Sequence, residues 1–353
     1  MSRFWSDNVA NLTPYTPGEQ PQIDNLIKLN TNENPYGPSP KVLQAIANVN
    51  NDALRKYPDP VSSDLKQSIA HYYNLALDQV FVGNSSDEVL GHTFRALLKQ
   101  SKPLLFPDIS YSFYPVYCQL FDIDYLQVPL RDDFTLNLDD YSPQNGGIIF
   151  ANPNAPTGIA LQRDKIERLL QSNTESVVVV DEAYVDFSDV SSVNLIKQYP
   201  NLLVVQTLSK SRCLAGLRVG LALGNKDLIE GLERVKNSFH PYTLDTLAVA
   251  GARAAFEDED YFNSTNNKII ATRSNTRDSL QDLGFSVLPS SANFLFVTHK
   301  TRAAAELFSL LRERKIIVRH FDAMRINNYL RISIGTDQQM QQLLDALREI
   351  LSS

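Results

Sequence analysis

The chain has 353 residues, enough for two domains, and its 43% hydrophobic and 21% charged residues are ordinary for a globular protein with a core. This composition argues against a disordered, collagen-like or coiled-coil protein. The formal net charge of -7 and the lack of a Lys/Arg-rich run argue against a nucleic-acid partner.

The cysteines, histidines and apolar runs bear on the cellular compartment, on membrane segments and on metal sites. Cys118 and Cys213 are too few for a disulfide framework and form no C-x-x-C pair, so we expect a reducing compartment, the cytoplasm. The opening residues lack the basic and apolar stretches of a signal peptide, and 18 apolar residues never run together, so we expect no membrane segment. The five histidines form no metal-binding spacing, so we expect no metal site.

The chain opens with a segment rich in Pro, Asn and Gly. Residues 1–40, including NLTPYTPGEQP and LNTNENPYGPSP, are predicted to form an extended arm with turns rather than regular structure. Two amphipathic helices follow. The first is PKVLQAIANV, with Pro40 at its first position, and the second is SSDLKQSIAHYY, after a Ser/Asp cap.

Five short apolar runs separated by helical stretches then predict a parallel α/β sheet. The runs are QVFVG, PLLF, GGIIFA, SVVVVDEAY and NLLVVQTLSK. In such sheets ligands bind beyond the carboxyl ends of the strands, so the residues after each run are the candidates for chemistry.

After about residue 243 the pattern changes to a charge-mixed helix, short strands and a closing helix. The strands include FSVLPSSANFLFV, IIVRHF and YLRISIG, and the last two carry Arg319 and Arg331. We therefore predict a larger domain over residues 41–243 and a second, smaller α+β domain over residues 244–353. The cations of the smaller domain are expected to close over a substrate.

Lys210 follows the fifth strand, after Thr207 and Ser209 and before Arg218. Burial of a lysine disfavours its charged form, which would leave a neutral amine able to attack a carbonyl carbon. The hydroxyls and Arg218 could hold a phosphate. A lysine at a loop edge can equally extend into solvent, so Lys210 alone decides little.

Asp181 ends a run of four valines, where a carboxylate is costly unless it meets a cation or a protonated nitrogen. A pyridinium nitrogen is such a partner, and the pairing would keep the ring able to withdraw electrons. Tyr184 could donate to a phenolic oxygen of the same ring. An aspartate at a strand end can also simply cap the next turn.

Ser85, Ser86 and Asp87 stand at the start of a predicted helix, where N–H groups and the helix dipole favour phosphate. An ordinary N-cap is the alternative explanation for these residues. In PDISYSFYPVY, Tyr111 could stack on a flat ring, although aromatic residues in such a stretch commonly belong to the core.

In order and spacing, TLSKSRCLAGLRVG, DEAY and NPNAPTG resemble the fold type I pyridoxal-phosphate aminotransferases. NLTPYTPGEQP, LNTNENPYGPSP, RKYPDP and YLRISIG make the chain similar in particular to histidinol-phosphate aminotransferases. The resemblance covers essentially the whole chain. It implies a large domain with a mostly parallel central sheet flanked by helices, plus a smaller α+β domain.

The resemblance also implies roles for individual residues. Lys210 would hold pyridoxal 5'-phosphate covalently, Asp181 would pair with the ring nitrogen and Tyr184 with the phenolic oxygen. The remaining cofactor contacts implied are Ser85, Ser86, Asp87, Tyr111, Asn154, Thr207, Ser209 and Arg218. Tyr57, in the RKYP turn, would reach the site of a neighbouring subunit, which implies a homodimer.

One position departs from the family. Most relatives place Asn directly before Pro-Thr-Gly, where it donates to the phenolic oxygen of the ring, whereas this chain has Ala155. That donor is missing unless Asn154 replaces it. We hypothesise that its loss raises the pKa of the lysine–cofactor linkage.

For the substrate, the resemblance implies Tyr15, Asn32, Asn293, Arg319 and Arg331. Arginine binds carboxylate or phosphate in bidentate geometry, and the presence of Tyr15, Arg319 and Arg331 favours a phosphate-bearing amine. Arg319 could also be only an exposed charge at a strand end. Which amino donor is preferred stays open at this stage.

The predicted reaction is reversible transamination between histidinol phosphate and 2-oxoglutarate, a step of histidine biosynthesis. An aromatic-amino-acid aminotransferase or a decarboxylase of a phosphorylated amino acid would share the cofactor motifs. A non-catalytic regulator built on the same fold is disfavoured because Lys210 is present and no basic DNA-binding domain is attached. A nicotinamide oxidoreductase is disfavoured because no G-x-G-x-x-G opens a first strand–helix turn.

Overall fold

The computed structural model describes residues 2–6, 8–141 and 144–352. Its strands are β1 (Ile27–Lys28), β2 (Val80–Asn84), β3 (Leu104–Pro107), β4 (Tyr125–Val128), β5 (Gly147–Ala151), β6 (Val178–Asp181), β7 (Leu202–Thr207), β8 (Val219–Gly224), β9 (Phe285–Val287), β10 (Phe294–His299), β11 (Ile316–Ile317), β12 (Arg319–His320) and β13 (Leu330–Ser333). Its α-helices are α1 (Pro40–Val49), α2 (Ser63–Tyr73), α3 (Ser85–Thr93), α4 (Tyr114–Phe121), α5 (Arg163–Ser172), α6 (Lys226–Phe239), α7 (Thr246–Phe256), α8 (Glu259–Asp282), α9 (Ala304–Glu313) and α10 (Asp337–Ser352).

A seven-stranded sheet in the order β2-β8-β7-β6-β5-β3-β4 forms the centre of the larger unit. Among these described strands, β8 runs in the direction opposite to the other six. Every residue of β5, β6 and β7 is buried, because helices cover both faces, and this explains the continuous apolar runs in the sequence. The predicted fold class is confirmed, and all five runs are strands.

Both predicted N-terminal helices form, but only α1 is capped by the side chain of the residue directly before it. Ser39 caps α1 by accepting a hydrogen bond from the Lys41 N–H, and Pro40 occupies the first helical position as predicted. The predicted Ser/Asp cap of α2 is wrong. Ser62 adopts a left-handed conformation (φ 49°) and makes no side-chain cap, and Asp59 accepts from the Ser63 N–H at 2.8 Å instead.

A four-stranded antiparallel sheet, β12-β13-β10-β9, and helices α8, α9 and α10 form the smaller unit. The predicted single strand IIVRHF is divided, because Ile316–Ile317 pairs with β1 of the arm whereas Arg319–His320 pairs with β13. The arm therefore contains regular structure, contrary to prediction: β1 and a short 3₁₀ turn at Val9–Asn11. Pairing with β11 ties the arm to the smaller unit.

Helix α7 lies beyond the predicted domain boundary at residue 243 but packs against α1 and α2. Its Ala248 and Ala252 belong to the apolar core of the larger unit. The division into domains stays a proposal, and we place its boundary after α7, near Asp258. Within the described ranges, no helix combines the length and apolar character needed to cross a membrane.

Helix α3 approaches the sheet closely at Gly220 of β8. A Cβ atom on Gly220 would lie 2.3 Å from the Ser86 nitrogen and 2.4 Å from the Ser85 carbonyl carbon, so no other residue fits without displacing the helix. The Ser85 N–H also donates to the Arg218 carbonyl oxygen at 2.7 Å. These contacts fix the start of α3 beside the strand that follows Arg218.

Candidate functional site

A cavity of about 620 Å³ lies between the carboxyl edge of the central sheet, the arm and the smaller sheet. Its position agrees with the rule that ligands bind beyond the carboxyl ends of parallel strands. The predicted residues that line it are Tyr15, Asn32, Ser86, Asp87, Tyr111, Asp181, Tyr184, Thr207, Ser209, Lys210, Arg218, Arg319 and Arg331.

Asp181 is a buried carboxylate at the end of β6. Its Oδ2 accepts a hydrogen bond from the Tyr114 hydroxyl at 2.9 Å, and its Oδ1 accepts from the Ala183 N–H at 3.3 Å. Both donors are neutral, so burial raises the pKa of Asp181 to about 6 although the two hydrogen bonds lower it. A protonated ring nitrogen in the cavity would supply the missing positive charge.

Lys210 is held at both ends of its side chain. Its Nζ donates to the Thr31 carbonyl oxygen at 3.0 Å and lies 5.8 Å from the centre of the Tyr184 ring. Its backbone carbonyl accepts a hydrogen bond from Asn34 Nδ2 at 2.9 Å. The arm segment 31–34 therefore positions the one lysine among the residues that line the described cavity.

Asp87 organises the end of the cavity next to α3. Its carboxylate accepts from Arg218 Nη2 at 2.9 Å and from the Tyr111 hydroxyl at 3.1 Å. A carboxylate repels phosphate, so we expect the Asp87 side chain to orient Arg218 and Tyr111 rather than to contact a phosphate directly. The neighbouring hydroxyls, Thr207 and Ser209, hydrogen-bond to each other at 3.0 Å.

The donor set fits pyridoxal phosphate, the cofactor that the resemblance implies. Ser86, Thr207, Ser209, Arg218 and the start of α3 provide hydroxyl, cationic and N–H donors suited to a phosphate. The buried carboxylate suits a protonated ring nitrogen, and the lysine amine suits an aldehyde. No cluster of His, Cys, Asp or Glu that could hold a metal ion occurs in the described part of the chain.

Arg319 and Arg331 face each other across the β12–β13 pair. Like charges directly opposite in a sheet are destabilising, and a bound anion relieves their repulsion. Burial lowers the pKa of the Arg331 guanidinium, and the Arg319 charge lowers it further. Arg331 Nη2 donates to the Asn30 carbonyl oxygen at 2.9 Å, whereas its buried Nε has no hydrogen-bond partner among the described residues.

Tyr184 and Asn32 link the cofactor end to the smaller unit. Asn32 Nδ2 donates to the Tyr184 hydroxyl at 3.0 Å, and Asn32 Oδ1 accepts from the Ser333 hydroxyl at 2.9 Å. Asn293 lies outside the cavity lining and donates to the Asn32 carbonyl oxygen at 3.0 Å. Asn293 therefore contacts the cavity lining through Asn32, and its predicted contact with substrate stays a prediction.

Ser85, Asn154 and Tyr57 also do not line the cavity. Ser85 is the first residue of α3, and its hydroxyl accepts from the Asp87 N–H at 3.2 Å within the first turn. Asn154 Nδ2 donates to the Ile109 carbonyl and to Thr157, while its Oδ1 accepts from Ser110. Asn154 is thus engaged in bracing its loop and does not replace the donor lost at Ala155. The effect of Ala155 on the cofactor stays a hypothesis.

Sequence reasoning missed Tyr114 and Asn34. Tyr114 is fully buried, donates to Asp181 and packs edge-on against Tyr111, with ring centres 5.6 Å apart. The tyrosine-rich segment around it signalled a role but not which tyrosine meets the carboxylate. Asn34 lies in the NENP segment, and only the folded chain brings it to Lys210, 176 residues away.

Comparisons with known proteins agree with this geometry. The family model described as aminotransferase class I and II matches residues 24–347. Histidinol-phosphate aminotransferase 1 of Hydrogenovibrio crunogenus is 61% identical over 100% of this chain and 99% of that protein. The protein of the same name from Bordetella parapertussis is 59% identical over the full length of both.

A solved structure shows the same fold. The crystal structure of histidinol-phosphate aminotransferase from Sinorhizobium meliloti in complex with pyridoxal-5'-phosphate matches with a TM-score of 0.90. The match covers 100% of this chain and 98% of that one, at 24% sequence identity.

The Tyr114 hydrogen bond to Asp181 can be tested in cofactor-free protein. Removing the hydroxyl in Tyr114→Phe should raise the pKa of Asp181 above about 6. A carboxyl whose folded pKa is raised loses stability as pH rises through that pKa, so the loss of unfolding free energy in Tyr114→Phe should grow between pH 5 and pH 8. Denaturant unfolding at several pH values measures this.

Tyr141→Phe is the matched control, because Tyr141 is equally buried and its hydroxyl has no hydrogen-bond partner among the described residues. Its effect on stability should not vary with pH. Parallel pH profiles for the two variants would contradict the assigned hydrogen bond.

Proposed function

The chain belongs to the class I and II aminotransferase family, and from this premise we propose that it transfers the amino group of histidinol phosphate to 2-oxoglutarate, giving imidazole-acetol phosphate and glutamate. The observation that carries the choice of substrate is the pair of facing cations, Arg319 and Arg331, in the same cavity as Lys210. Two arginines match the charge of a phosphate monoester dianion. The chain is a pyridoxal-phosphate-dependent aminotransferase.

Each end of the cavity has its own task in the proposed function. Lys210 holds the cofactor covalently, Asp181 pairs with its ring nitrogen, and Ser86, Thr207, Ser209 and Arg218 hold its phosphate, while Tyr111 packs on the ring and Tyr184 meets its phenolic oxygen. When bound, the cofactor supplies an electron sink for the substrate carbon that loses its proton. The buried Asp181 carboxylate favours the protonated ring that this chemistry needs.

Lys210 also moves the proton. With cofactor and substrate bound, the Lys210 Nζ would act as the general base that moves the proton from the substrate carbon to the cofactor carbon. The Thr31 carbonyl, 3.0 Å from Nζ, holds the amine at the carboxyl edge of the sheet. Asn34 holds the backbone of Lys210 through its carbonyl oxygen. The same lysine therefore serves binding and proton transfer without a second base.

Arg319, Arg331 and Tyr15 form the proposed anion end of the cavity. Tyr15 packs on Phe113, with ring centres 4.8 Å apart, and lies near Tyr111, so the arm closes this end. The same cations accept the carboxylate of glutamate in the other half-reaction, because bidentate guanidinium contacts suit carboxylate and phosphate alike.

We propose a homodimer in which Tyr57 reaches the partner's site. Tyr57 is 82% exposed and stacks on Tyr242, with ring centres 4.7 Å apart, and Phe239 nearby in the chain is 81% exposed. Large exposed aromatic rings of this kind typically mark an interaction surface. Two free thiols and a biosynthetic reaction support a cytoplasmic location.

The first test is a single-turnover absorption experiment on the purified holoenzyme with histidinol phosphate, phenylalanine and glutamate in turn. The cofactor spectrum should change far faster with histidinol phosphate than with phenylalanine, because the paired arginines favour a dianion. Faster reaction with phenylalanine would make the enzyme an aromatic aminotransferase. Release of carbon dioxide from a phosphorylated amino acid would make it a decarboxylase.

The shared site can be tested by mixing subunits. A heterodimer of Lys210→Ala and Tyr57→Ala subunits, purified through two different tags, should contain one intact site. Its activity should approach half of the native activity. Each homodimer alone should be inactive or severely impaired. No recovery in the heterodimer would show that Tyr57 acts within its own subunit, and a fully active Tyr57→Ala homodimer would show that Tyr57 has no role in the site.

A further inference from the structure

The loop over residues 321–329 connects the two strands that carry the anion-binding arginines. It leaves β12 just after Arg319 and enters β13 just before Arg331. Phe321, its first residue, lies under both guanidinium groups, 5.7 Å from that of Arg319 and 5.6 Å from that of Arg331. The position of this loop therefore affects both cations at once.

Arg325, in the middle of the loop, binds the larger unit rather than its own. Its Nη1 donates to Asp108 Oδ2 at 3.2 Å, and its Nη2 donates to the carbonyl oxygens of Leu130 and Arg131 at 2.9 and 2.7 Å. The Arg325 and Asp108 side chains are only 30% and 28% exposed, so solvent screens this pair less than a surface ion pair. One planar guanidinium thus joins three acceptors, which suits arginine and not lysine.

The acceptors are themselves fixed, and they adjoin the cofactor end of the cavity. Asp108 Oδ1 accepts from the Ile109 and Leu130 N–H groups, both at 2.9 Å. Asp108 follows β3 directly, and Ser110 and Tyr111, next along the chain, line the cavity. The contact therefore spans from the loop of the two arginines to the loop that carries the proposed ring-stacking tyrosine.

The backbone of Arg325 is also constrained. It has a φ of 71°, in the left-handed region that residues other than glycine seldom adopt, and such a conformation persists only where surrounding contacts determine it. The next residue, Ile326, is 6% exposed and packs into the core of the larger unit. Tyr329 stacks on Phe296, with ring centres 4.7 Å apart.

We propose that Arg325 is a positioning residue for the substrate: it holds the Arg319–Arg331 anion site at a set distance from Tyr111 and Lys210 without touching the substrate itself. This inference rests on the proposed function, since it assigns those two arginines to the substrate anion. Misplacing a binding group by about 1 Å can reduce catalytic efficiency up to about a hundredfold. A residue that sets the distance between two ends of a site should therefore control substrate affinity.

The test is steady-state kinetics of Arg325→Met holoenzyme with histidinol phosphate and with glutamate. KM should rise at least about tenfold for both substrates, with a smaller fall in kcat, because both anions use the displaced arginines. The dissociation constant of pyridoxal phosphate should not change, because its proposed contacts lie in the larger unit. Arg325→Lys should recover only part of the affinity, since it keeps the charge opposite Asp108 but not the fork that reaches both carbonyls.

Arg302→Met is the matched control. Arg302 donates to the Glu306 carboxylate at 2.7 Å and to the Ile350 carbonyl at 3.1 Å, so it makes similar hydrogen bonds but only within the smaller unit. Its KM values should equal those of the unmodified enzyme. Hydrogen–deuterium exchange should increase over residues 321–329 and 128–134 in Arg325→Met and in neither segment of the control.

An unchanged KM in Arg325→Met, or an equal loss of affinity for substrate and cofactor, would overturn the positioning role. Failure of the unmodified enzyme to convert histidinol phosphate would contradict the proposed function alone. Arg325 would then be judged on the KM for glutamate and on the exchange of the two segments.

Discussion

The site depends on a carboxylate that the fold buries without a cation. Asp181 ends a fully buried strand, and its two hydrogen bonds come from the neutral Tyr114 hydroxyl and Ala183 N–H. Burial disfavours the charged form of Asp181 and raises the pKa of its carboxyl to about 6. A positively charged ligand atom beside the carboxylate would therefore be favoured. We propose that the ring nitrogen of pyridoxal phosphate is that atom. The lysine, the phosphate donors and the stacking tyrosine are arranged around the same point.

The second constraint is that the two units must meet around the cavity that contains this carboxylate. The arm segment 29–34 links them: the Leu29 carbonyl accepts from the Ser333 N–H of the smaller sheet, and the Thr31 carbonyl accepts from Lys210. Arg325 makes the opposite connection, from the smaller unit to the loop after β3. The proposed anion site is thus tied to the proposed cofactor site on two sides. A cofactor anchored in one unit and a substrate anion bound by the other can then react at a fixed separation.

Much of this arrangement could be predicted from the sequence, because parallel sheets collect chemistry at the carboxyl ends of strands. Lys210, Asp181 and Ser86 could be found in this way, since each lies at or shortly after the end of an apolar run. The cap of α2 could not, because its acceptor Asp59 lies four residues before Ser63 rather than at the N-cap position. The division of IIVRHF could not either, because it depends on β1, which only the folded chain brings into place. Tyr114, Asn34 and Arg325 escaped for the same reason. Their partners lie 67, 176 and 217 residues away, so the local sequence around each residue does not identify the partner.

The most direct measurement is calorimetric titration of the cofactor-free protein with pyridoxal phosphate and with its analogue in which a C–H group replaces the ring nitrogen. If Asp181 pairs with a protonated ring nitrogen, the natural cofactor should bind at least about tenfold more tightly than the analogue. The preference should disappear in Asp181→Asn, whose amide carries no charge. Equal affinities in the unmodified protein would contradict the account, because the buried carboxylate would then have no role toward the ring.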